Sequence, residues 1–290
     1  MRRLLIRPGA IGDFLTSLPS LEQLCEGETE VWAEAQNVSL VRFARARSIQ
    51  STGLNLLGIP DVEPPEGLVE QLRSFDSVIS WYGTNRPEFQ EAVRRLGLAF
   101  RFFAALPHTG AAIHAADFYM EQAARVTGRL AAALPRLPCE RAPADFIAIH
   151  PFSGSPRKNW PAASYERLTK ILSRNRAVRW ILEPGTRAPA GIECLPQTAD
   201  LYELACHVAR ARLYVGNDSG ITHLAAAAGA PVLALFGPSD PVVWSPRGRN
   251  TIRILRSPAP NGDMNAISLA EVLETIEGWP EDGPEGSAGP

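Results

Sequence analysis

The sequence predicts an α/β protein made of two Rossmann-like halves, each built on a parallel sheet. Strand-like and helix-like runs alternate along the chain, and the alternation restarts after a proline-containing segment at 130–144. A length of 290 residues suits two domains. We therefore expect an α/β fold with domains at 1–143 and 144–280, whose parallel sheets face each other across a cleft.

The first half contains alternating elements that indicate a parallel sheet covered on both faces. The strand-like runs are 3–7, 30–33, 77–81 and 99–104, and the helical runs are 12–25, 37–46, 66–74, 87–96 and 115–128. The segment 130–144 has three prolines and no clear period, which is typical of a linker.

The second half repeats the pattern. Strands are predicted at 146–150, 178–183, 192–195, 213–215, 232–236 and 252–255, and helices at 162–174, 201–208 and 269–277. A small-residue helix that includes Ala225–Ala228 is predicted between the strands at 213–215 and 232–236. The tail 281–290 is rich in Gly, Pro and Glu and is predicted to be disordered. Ligands of such sheets bind beyond the carboxyl ends of the strands, where three polar motifs lie.

Composition excludes several classes of function. The formal net charge is −2, so no basic field points to nucleic acid. The four cysteines form no C-x-x-C pair, which favours reduced thiols, and the five histidines show no metal-ligand spacing. We expect no metal and no cofactor. Without a signal peptide or a membrane-spanning run, we expect a cytoplasmic protein; peripheral contact with the inner face of the cytoplasmic membrane stays open.

The first motif, 8–14, follows the first strand. Gly9 and Gly12 are expected to make its turn, and Asp13 stands at the start of the first helix. An Asp there is either a helix N-cap, worth about 1 kcal/mol, or a catalytic carboxylate. The residues alone favour the cap. The glycine spacing falls short of G-x-G-x-x-G, so a dinucleotide fingerprint is weak.

The second motif, 150–161, follows the first strand of the second half. Ser153 offers a hydroxyl and Lys158 an ammonium group, a combination that suits a diphosphate. Lys158 is one of only two lysines among 29 basic residues, the other being Lys170. An incidental solvated loop is the alternative, and the rarity of lysine favours phosphate contact.

The third motif, 216–240, reads strand, glycine turn, small-residue helix and strand, which indicates an anion site at the helix N-terminus. We expect Asp218 to cap the helix and Ser219, Gly220 and Thr222 to offer donors. His223 is expected to pack against the sheet, and Asp240 is expected to cap a turn rather than to face a ligand.

Five arginines of the first half could meet an acidic acceptor, but a solvated helix face is the favoured interpretation. They are Arg42, Arg45, Arg47, Arg94 and Arg95.

Taken together, the motifs resemble glycosyltransferase family 9, the ADP-heptose:lipopolysaccharide heptosyltransferase group. The matching stretches are L-I-R-P-G-A-I-G-D-F-L, H-P…R-K-N-W-P, N-D-S-G-I-T-H-L-A-A-A and F-G-P-S-D-P. The resemblance implies a GT-B fold, with the acceptor bound by the first domain and the nucleotide sugar mainly by the second.

The resemblance also implies roles for individual residues. Asp13 matches the candidate general base, and Lys158 the lysine that binds the diphosphate. Asp218, Ser219 and Gly220 fall on the loop that meets the donor phosphates, and His223 closes that motif. The family often carries an acid for the donor ribose after the strand at 179–182; here Glu183 is the nearby acid, in a shortened, proline-rich segment.

The resemblance implies an inverting glycosyltransferase that moves a sugar from a nucleotide-diphosphate donor to a hydroxyl of a bacterial glycan or lipopolysaccharide-core acceptor. The implied sugar is a heptose, and the implied donor is ADP-linked. The partners are a nucleotide-sugar donor and a glycan or glycolipid acceptor, and nucleic acid is not among them. The alternatives are a nucleotide-sugar epimerase of the same architecture and a non-catalytic nucleotide-sugar-binding protein. A nicotinamide-dependent oxidoreductase is a weaker alternative, since neither opening strand is followed by the G-x-G-x-x-G dinucleotide-binding motif.

Overall fold

The computed structural model describes residues 1–280 except Thr109, Ala111 and Pro143. It divides into two compact units, Met1–Ala133 and Leu134–Pro290, and the division falls within the segment predicted as a linker. The predicted disordered tail, 281–290, lies outside the described residues.

Unit 1 has a five-stranded parallel sheet flanked by helices. Its strands are β1 (Arg2–Arg7), β2 (Glu28–Ala33), β3 (Arg45–Ser48), β4 (Ser77–Ser80) and β5 (Phe100–Phe102), in the order β3-β2-β1-β4-β5. Its helices are α1 (Ile11–Leu24), α2 (Leu68–Arg73), α3 (Pro87–Arg95) and α4 (Ala115–Thr127). The strand order reverses between β1 and β4, and such a switch point is where ligands of open α/β sheets bind.

The central strand of unit 1 explains why α1 lies where it does. Leu4 and Ile6 are fully buried in the core cluster, as expected of a strand covered on both faces. Arg3 and Arg7 are buried as well. Arg3 Nη1 donates to Leu24 O at the end of α1 (2.6 Å), and Arg7 Nη2 donates to Asp13 O near its beginning (3.0 Å). Both ends of α1 are thus bound to β1.

The helix predicted over 37–46 is wrong. The chain forms a short 3₁₀ helix at Ala35–Leu40 and then the edge strand β3. Arg45 and Arg47 therefore lie on a strand, and Arg47 Nε lies 2.9 Å from Glu30 Oε1 of β2. Arg94 and Arg95 do lie on a helix, α3.

Unit 2 has a six-stranded parallel sheet. Its strands are β6 (Ala144–His150), β7 (Ala177–Trp180), β8 (Glu193–Cys194), β9 (Ala211–Asn217), β10 (Val232–Phe236) and β11 (Ile252–Arg256), in the order β11-β10-β9-β6-β7-β8. Its helices are α5 (Ala162–Leu172), α6 (Leu201–Ala209), α7 (Gly220–Ala228), α8 (Pro241–Trp244) and α9 (Leu269–Glu277). The order reverses between β6 and β9, which makes this the switch point of unit 2.

Helix α7 packs closely because its residues are small. Ala225–Ala228 are all buried. Gly216, two residues before the turn, must lack a side chain, because a Cβ there would clash with the buried Tyr214 hydroxyl. Throughout the described chain, every helix is too short or too polar to traverse a lipid bilayer.

Candidate functional site

The switch point of unit 2 brings together two of the predicted site residues. Lys158 lies in the loop after β6 and Asp218 in the turn after β9. Lys158 Nζ donates to Asp218 Oδ2 at 2.7 Å. The Asp218 side chain is 6% exposed and that of Lys158 35% exposed, so a buried carboxylate is paired with a partly exposed lysine.

The N-terminus of α7 lies in the same turn, and its cap differs from the expectation. Ser219 is the N-cap, and its hydroxyl accepts a hydrogen bond from Thr222 N. The prediction that Asp218 caps the helix is wrong, because its carboxylate binds Lys158 and its amide donates to Leu235 O at 3.0 Å. The backbone amides of Ser219 and Gly220 open the helix, where N–H groups have no intrahelical acceptor.

The hydroxyl groups beside this turn bind one another. The Thr222 hydroxyl donates to Asn217 O and lies 3.0 Å from the Tyr214 hydroxyl and 3.1 Å from Ser219 Oγ. Since Thr222 has a single hydroxyl proton, the Tyr214 and Ser219 hydroxyls must donate to Thr222. Thr222 is also buried, so the prediction that it offers a donor to a ligand is wrong.

Asn217 holds the two loops of the switch point in place, a role that sequence reasoning missed. Its Oδ1 accepts from Trp160 N and from the Tyr165 hydroxyl, each at 2.9 Å, and its Nδ2 donates to Pro151 O at 2.9 Å. Asn217 is completely buried. A signal was available, since an asparagine that ends an apolar strand must bond its amide group inside the protein.

The remaining predicted residues of unit 2 lie around this edge of the sheet. Ser153 Oγ lies 2.8 Å from Ser155 O and 2.6 Å from Asn159 Oδ1, so it shapes the loop that carries Lys158. Glu183 is exposed in a turn after β7. His223 is buried on α7. Asp240 caps α8 by accepting from Val242 N at 3.0 Å, as expected.

His150 ends β6 at the switch point. Burial lowers the pKa of its imidazole to about 4, so the ring is neutral near pH 7. Its Nδ1 is buried without a hydrogen-bond partner among the described residues. The ring meets Phe152 edge-on, at 6.1 Å between centroids.

Asp13 lies at the switch point of unit 1, after β1. The N-cap of α1 is Ala10, which has no side-chain cap, so the capping interpretation of Asp13 is wrong. Asp13 is instead the third residue of α1, partly exposed, where the helix dipole favours a negative charge. Gly9 makes the turn with φ +130°, and a Cβ there would lie 3.4 Å from Asp13 Cβ. Gly12 lies within α1 rather than in the turn.

A cavity of about 420 Å³ lies in unit 1, between the end of β5 and α4. Aromatic and charged side chains line it together, among them Phe102, Phe103, Phe118, Glu121 and Arg125. Such a mixed lining can contact the faces of a sugar ring and its hydroxyl groups.

Known proteins share both sequence and fold with this chain. It is 36% identical to lipopolysaccharide heptosyltransferase 1 of Pseudomonas aeruginosa over 107 residues, 33% of this chain and 30% of that protein. It is 30% identical to lipopolysaccharide heptosyltransferase 1 of Salmonella typhimurium over 146 residues, 46% of this chain and 45% of that protein. The matched stretches thus span less than half the length of these curated relatives.

Solved structures match over nearly the whole chain. The E. coli ADP-heptose lps heptosyltransferase II superposes with a TM-score of 0.72 at 19% identity, covering 96% of this chain and 98% of that one. The E. coli heptosyltransferase WaaC with ADP gives a TM-score of 0.67 at 19% identity, covering 96% and 99%. The fold is therefore GT-B, composed of two Rossmann-like domains.

A sequence comparison shows to which family of GT-B proteins the chain belongs. The model of glycosyltransferase family 9 (heptosyltransferase) matches residues 108–267, more than half of the chain. The protein belongs to this family.

Proposed function

We propose that the protein is an inverting glycosyltransferase that moves a heptose from an ADP-linked donor to a hydroxyl group of a lipopolysaccharide-core acceptor. The family and the names of its relatives support the reaction and the substrate class. One geometric observation supports the donor assignment: the partly exposed Lys158 binds Asp218, the residue before the N-cap of α7, at the switch point of unit 2. We expect the protein to act in the cytoplasm, and peripheral contact with the inner membrane remains part of the proposal.

At the donor end, Lys158 and the first amides of α7 are suited to a diphosphate. An ammonium group has three donors, so the bond to Asp218 leaves two for phosphate oxygens. Asp218 then holds Lys158 in position, and the amides of Ser219 and Gly220 add donors at the positive end of the helix dipole. These groups would stabilise the departing diphosphate, so we expect no metal requirement. We keep Glu183 as the proposed contact to the donor ribose.

At the acceptor end, Asp13 is the proposed general base. The acceptor oxygen attacks the anomeric carbon from the face opposite the diphosphate, the bond from that carbon to the diphosphate breaks, and Asp13 takes the hydroxyl proton. A carboxylate with an ordinary pKa of about 3.9 is a weak base. It accepts the proton efficiently only as the attacking oxygen becomes acidic during bond formation.

Two assays test the donor site and the general base separately: ADP binding for Lys158 and heptose transfer for Asp13. Lys158→Ala should weaken ADP binding, measured by calorimetry, by about tenfold or more, since a charged hydrogen bond is lost. The matched control is Lys170→Ala, which removes the other lysine, exposed on α5, and should leave affinity unchanged. The double variant Lys158→Ala/Asp218→Ala removes the uncompensated carboxylate and should still bind ADP poorly. Recovered affinity in the double variant would show that Lys158 serves only to neutralise Asp218.

Asp13→Asn should retain ADP affinity and lose heptose transfer by a factor of about 10² to 10⁴. Transfer is followed by mass spectrometry of the acceptor. Near-normal turnover by a folded Asp13→Asn protein would remove the base assignment. Epimerised donor in the absence of acceptor would favour the epimerase alternative, and ADP-heptose binding without transfer or hydrolysis would favour a binding protein.

A further inference from the structure

Cys139 and Cys206 form a thiol pair that their separation in the sequence conceals. Their Sγ atoms lie 3.0 Å apart, and both residues are partly buried. Cys206 lies on α6, and Cys139 lies on the segment 137–141, which contacts that helix through Tyr202 and Cys206.

The segment 137–141 is anchored to α6 and α7 immediately before Cys139. The Tyr202 hydroxyl, one turn before Cys206 on α6, donates to Pro138 O at 2.8 Å. Leu137 N donates to Ala227 O of α7 at 2.8 Å. These bonds keep the two sulfur atoms together without any covalent link.

We propose that Cys139 and Cys206 are a modification site, at which a peroxide converts the two thiols into a disulfide. One thiolate attacks a peroxide oxygen: an S–O bond forms, the O–O bond breaks, and the leaving hydroxide is protonated to water. The second thiolate attacks that sulfur: the S–S bond forms, the S–O bond breaks, and a second water leaves. The two thiols lose two electrons, which reduce one peroxide to two waters. The sulfur atoms need to approach by about 1 Å to reach the disulfide length of about 2.05 Å.

The other two cysteines have raised thiol pKa values. Burial raises the pKa of the Cys25 thiol to about 11, and burial also raises the pKa of the Cys194 thiol. Thiolates are the reactive species, so Cys25 and Cys194 are expected to react slowly. They serve as internal controls.

The test treats the folded protein with hydrogen peroxide and counts thiols. Alkylation should find two thiols fewer than in the reduced protein, and peptide mapping should show a link between Cys139 and Cys206. The melting temperature should rise by roughly 5 °C, because the link constrains the unfolded chain, and dithiothreitol should reverse the rise. Cys139→Ser should abolish both effects and Cys25→Ser neither. An intact thiol pair after peroxide, or a link through any other cysteine, would overturn the proposal.

A second, independent inference concerns Arg7, whose contacts surround the first turn of α1, where Asp13 lies. The guanidinium is buried at the end of β1 and lies 4.5 Å from the centroid of the Tyr119 ring. Arg7 Nη2 donates to Asp13 O (3.0 Å), Nε to Ser17 Oγ (3.0 Å) and Nη1 to Pro8 O (3.2 Å). One side chain thus joins the turn after β1 to the first two turns of α1.

The Arg7 and Asp13 side chains both border Gly9. Arg7 Nη1 and Asp13 Oδ2 lie 3.9 Å and 3.8 Å from the point that a Cβ of residue 9 would occupy. The planar fork of arginine reaches several acceptors at once, which the single ammonium group of lysine cannot do.

We infer that Arg7 is the positioning residue of Asp13, an inference that rests on the proposed function. Arg7→Gln should lower the kcat of heptose transfer by about tenfold or more while ADP affinity stays within about twofold, since misplacing a reacting group lowers the rate of the chemical step. Arg7→Lys keeps the charge without the fork and should recover part of the loss.

The matched control is Arg3→Gln, which removes the buried arginine that binds the opposite end of α1. It should lower the melting temperature and leave kcat within about twofold. Equal loss of kcat in both variants would show that Arg7 acts only through stability.

Hydrogen exchange separates this inference from the proposed function. Arg7→Gln should increase exchange in residues 11–17, and Arg3→Gln should increase it near Leu24. If the wild-type protein transfers no heptose, the proposed function fails, while unchanged exchange in residues 11–17 of Arg7→Gln would refute the positioning of Asp13 separately.

Discussion

His150 shows how burial fixes the protonation of a single side chain. It ends β6 beside the loop that carries Lys158, and burial lowers its pKa to about 4 from an ordinary value of 6.5. In the unfolded chain the imidazole takes up a proton below pH 6.5, whereas in the folded protein it does so only near pH 4. The folded state therefore becomes less stable relative to the unfolded chain as the pH falls from 6.5 to 4.

The free energy of unfolding should fall by about 1.4 kcal/mol for each pH unit between pH 6.5 and 4 because of His150. Above pH 6.5 the imidazole is neutral in both the folded and the unfolded chain, so His150 causes no further change in the free energy of unfolding. Urea denaturation at pH 7 and pH 5 measures the difference. In His150→Gln, which cannot titrate, the slope over this window should be smaller by that amount. An unchanged slope would show that His150 is protonated in the folded protein.

At the scale of elements, Asn217 joins β9 to the loop after β6 and to α5. Its side chain satisfies Trp160 N, the Tyr165 hydroxyl and Pro151 O, three groups that the fold would otherwise bury unpaired. The position of the Lys158 loop relative to α7 therefore depends on one amide group.

Asn217→Ala should destabilise the protein by roughly 3 kcal/mol or more, because each unpaired buried group costs about 1–3 kcal/mol. Tyr165→Phe removes only one of the three bonds and should cost about 1 kcal/mol. Chemical denaturation compares the two. If Asn217→Ala costs no more than Tyr165→Phe, the amide group does not link these elements.

Edge elements were the hardest to predict. The residues of β3, R-A-R-S, alternate charge with small side chains and have no apolar run, so a helix at 37–46 was predicted in their place. Pairing with β2 and the ion pair between Arg47 and Glu30 define the strand. Both involve residues distant in the sequence. The central strands were predicted well because burial on both faces leaves a local apolar signature.

At the scale of the whole molecule, the two units repeat one topology. In each, the sheet order reverses beside its first strand, and polar residues follow that strand: Asp13 in unit 1 and Lys158 in unit 2. The alternation of strands and helices predicted this repetition, and the motifs predicted which strand ends carry polar groups. The family resemblance supplied the expected chemistry.

The α/β class, the central strands and the polar character of their carboxyl ends can be predicted from the amino-acid sequence, because they follow from local apolar patterning and from residues adjacent in the chain. Which side chains contact one another becomes known only from the folded chain. In the folded chain Asp218 binds Lys158, Ser219 caps α7, and Cys139 contacts Cys206. A side chain with several possible partners takes the one that the packing of distant segments brings within reach, and that packing depends on the whole chain.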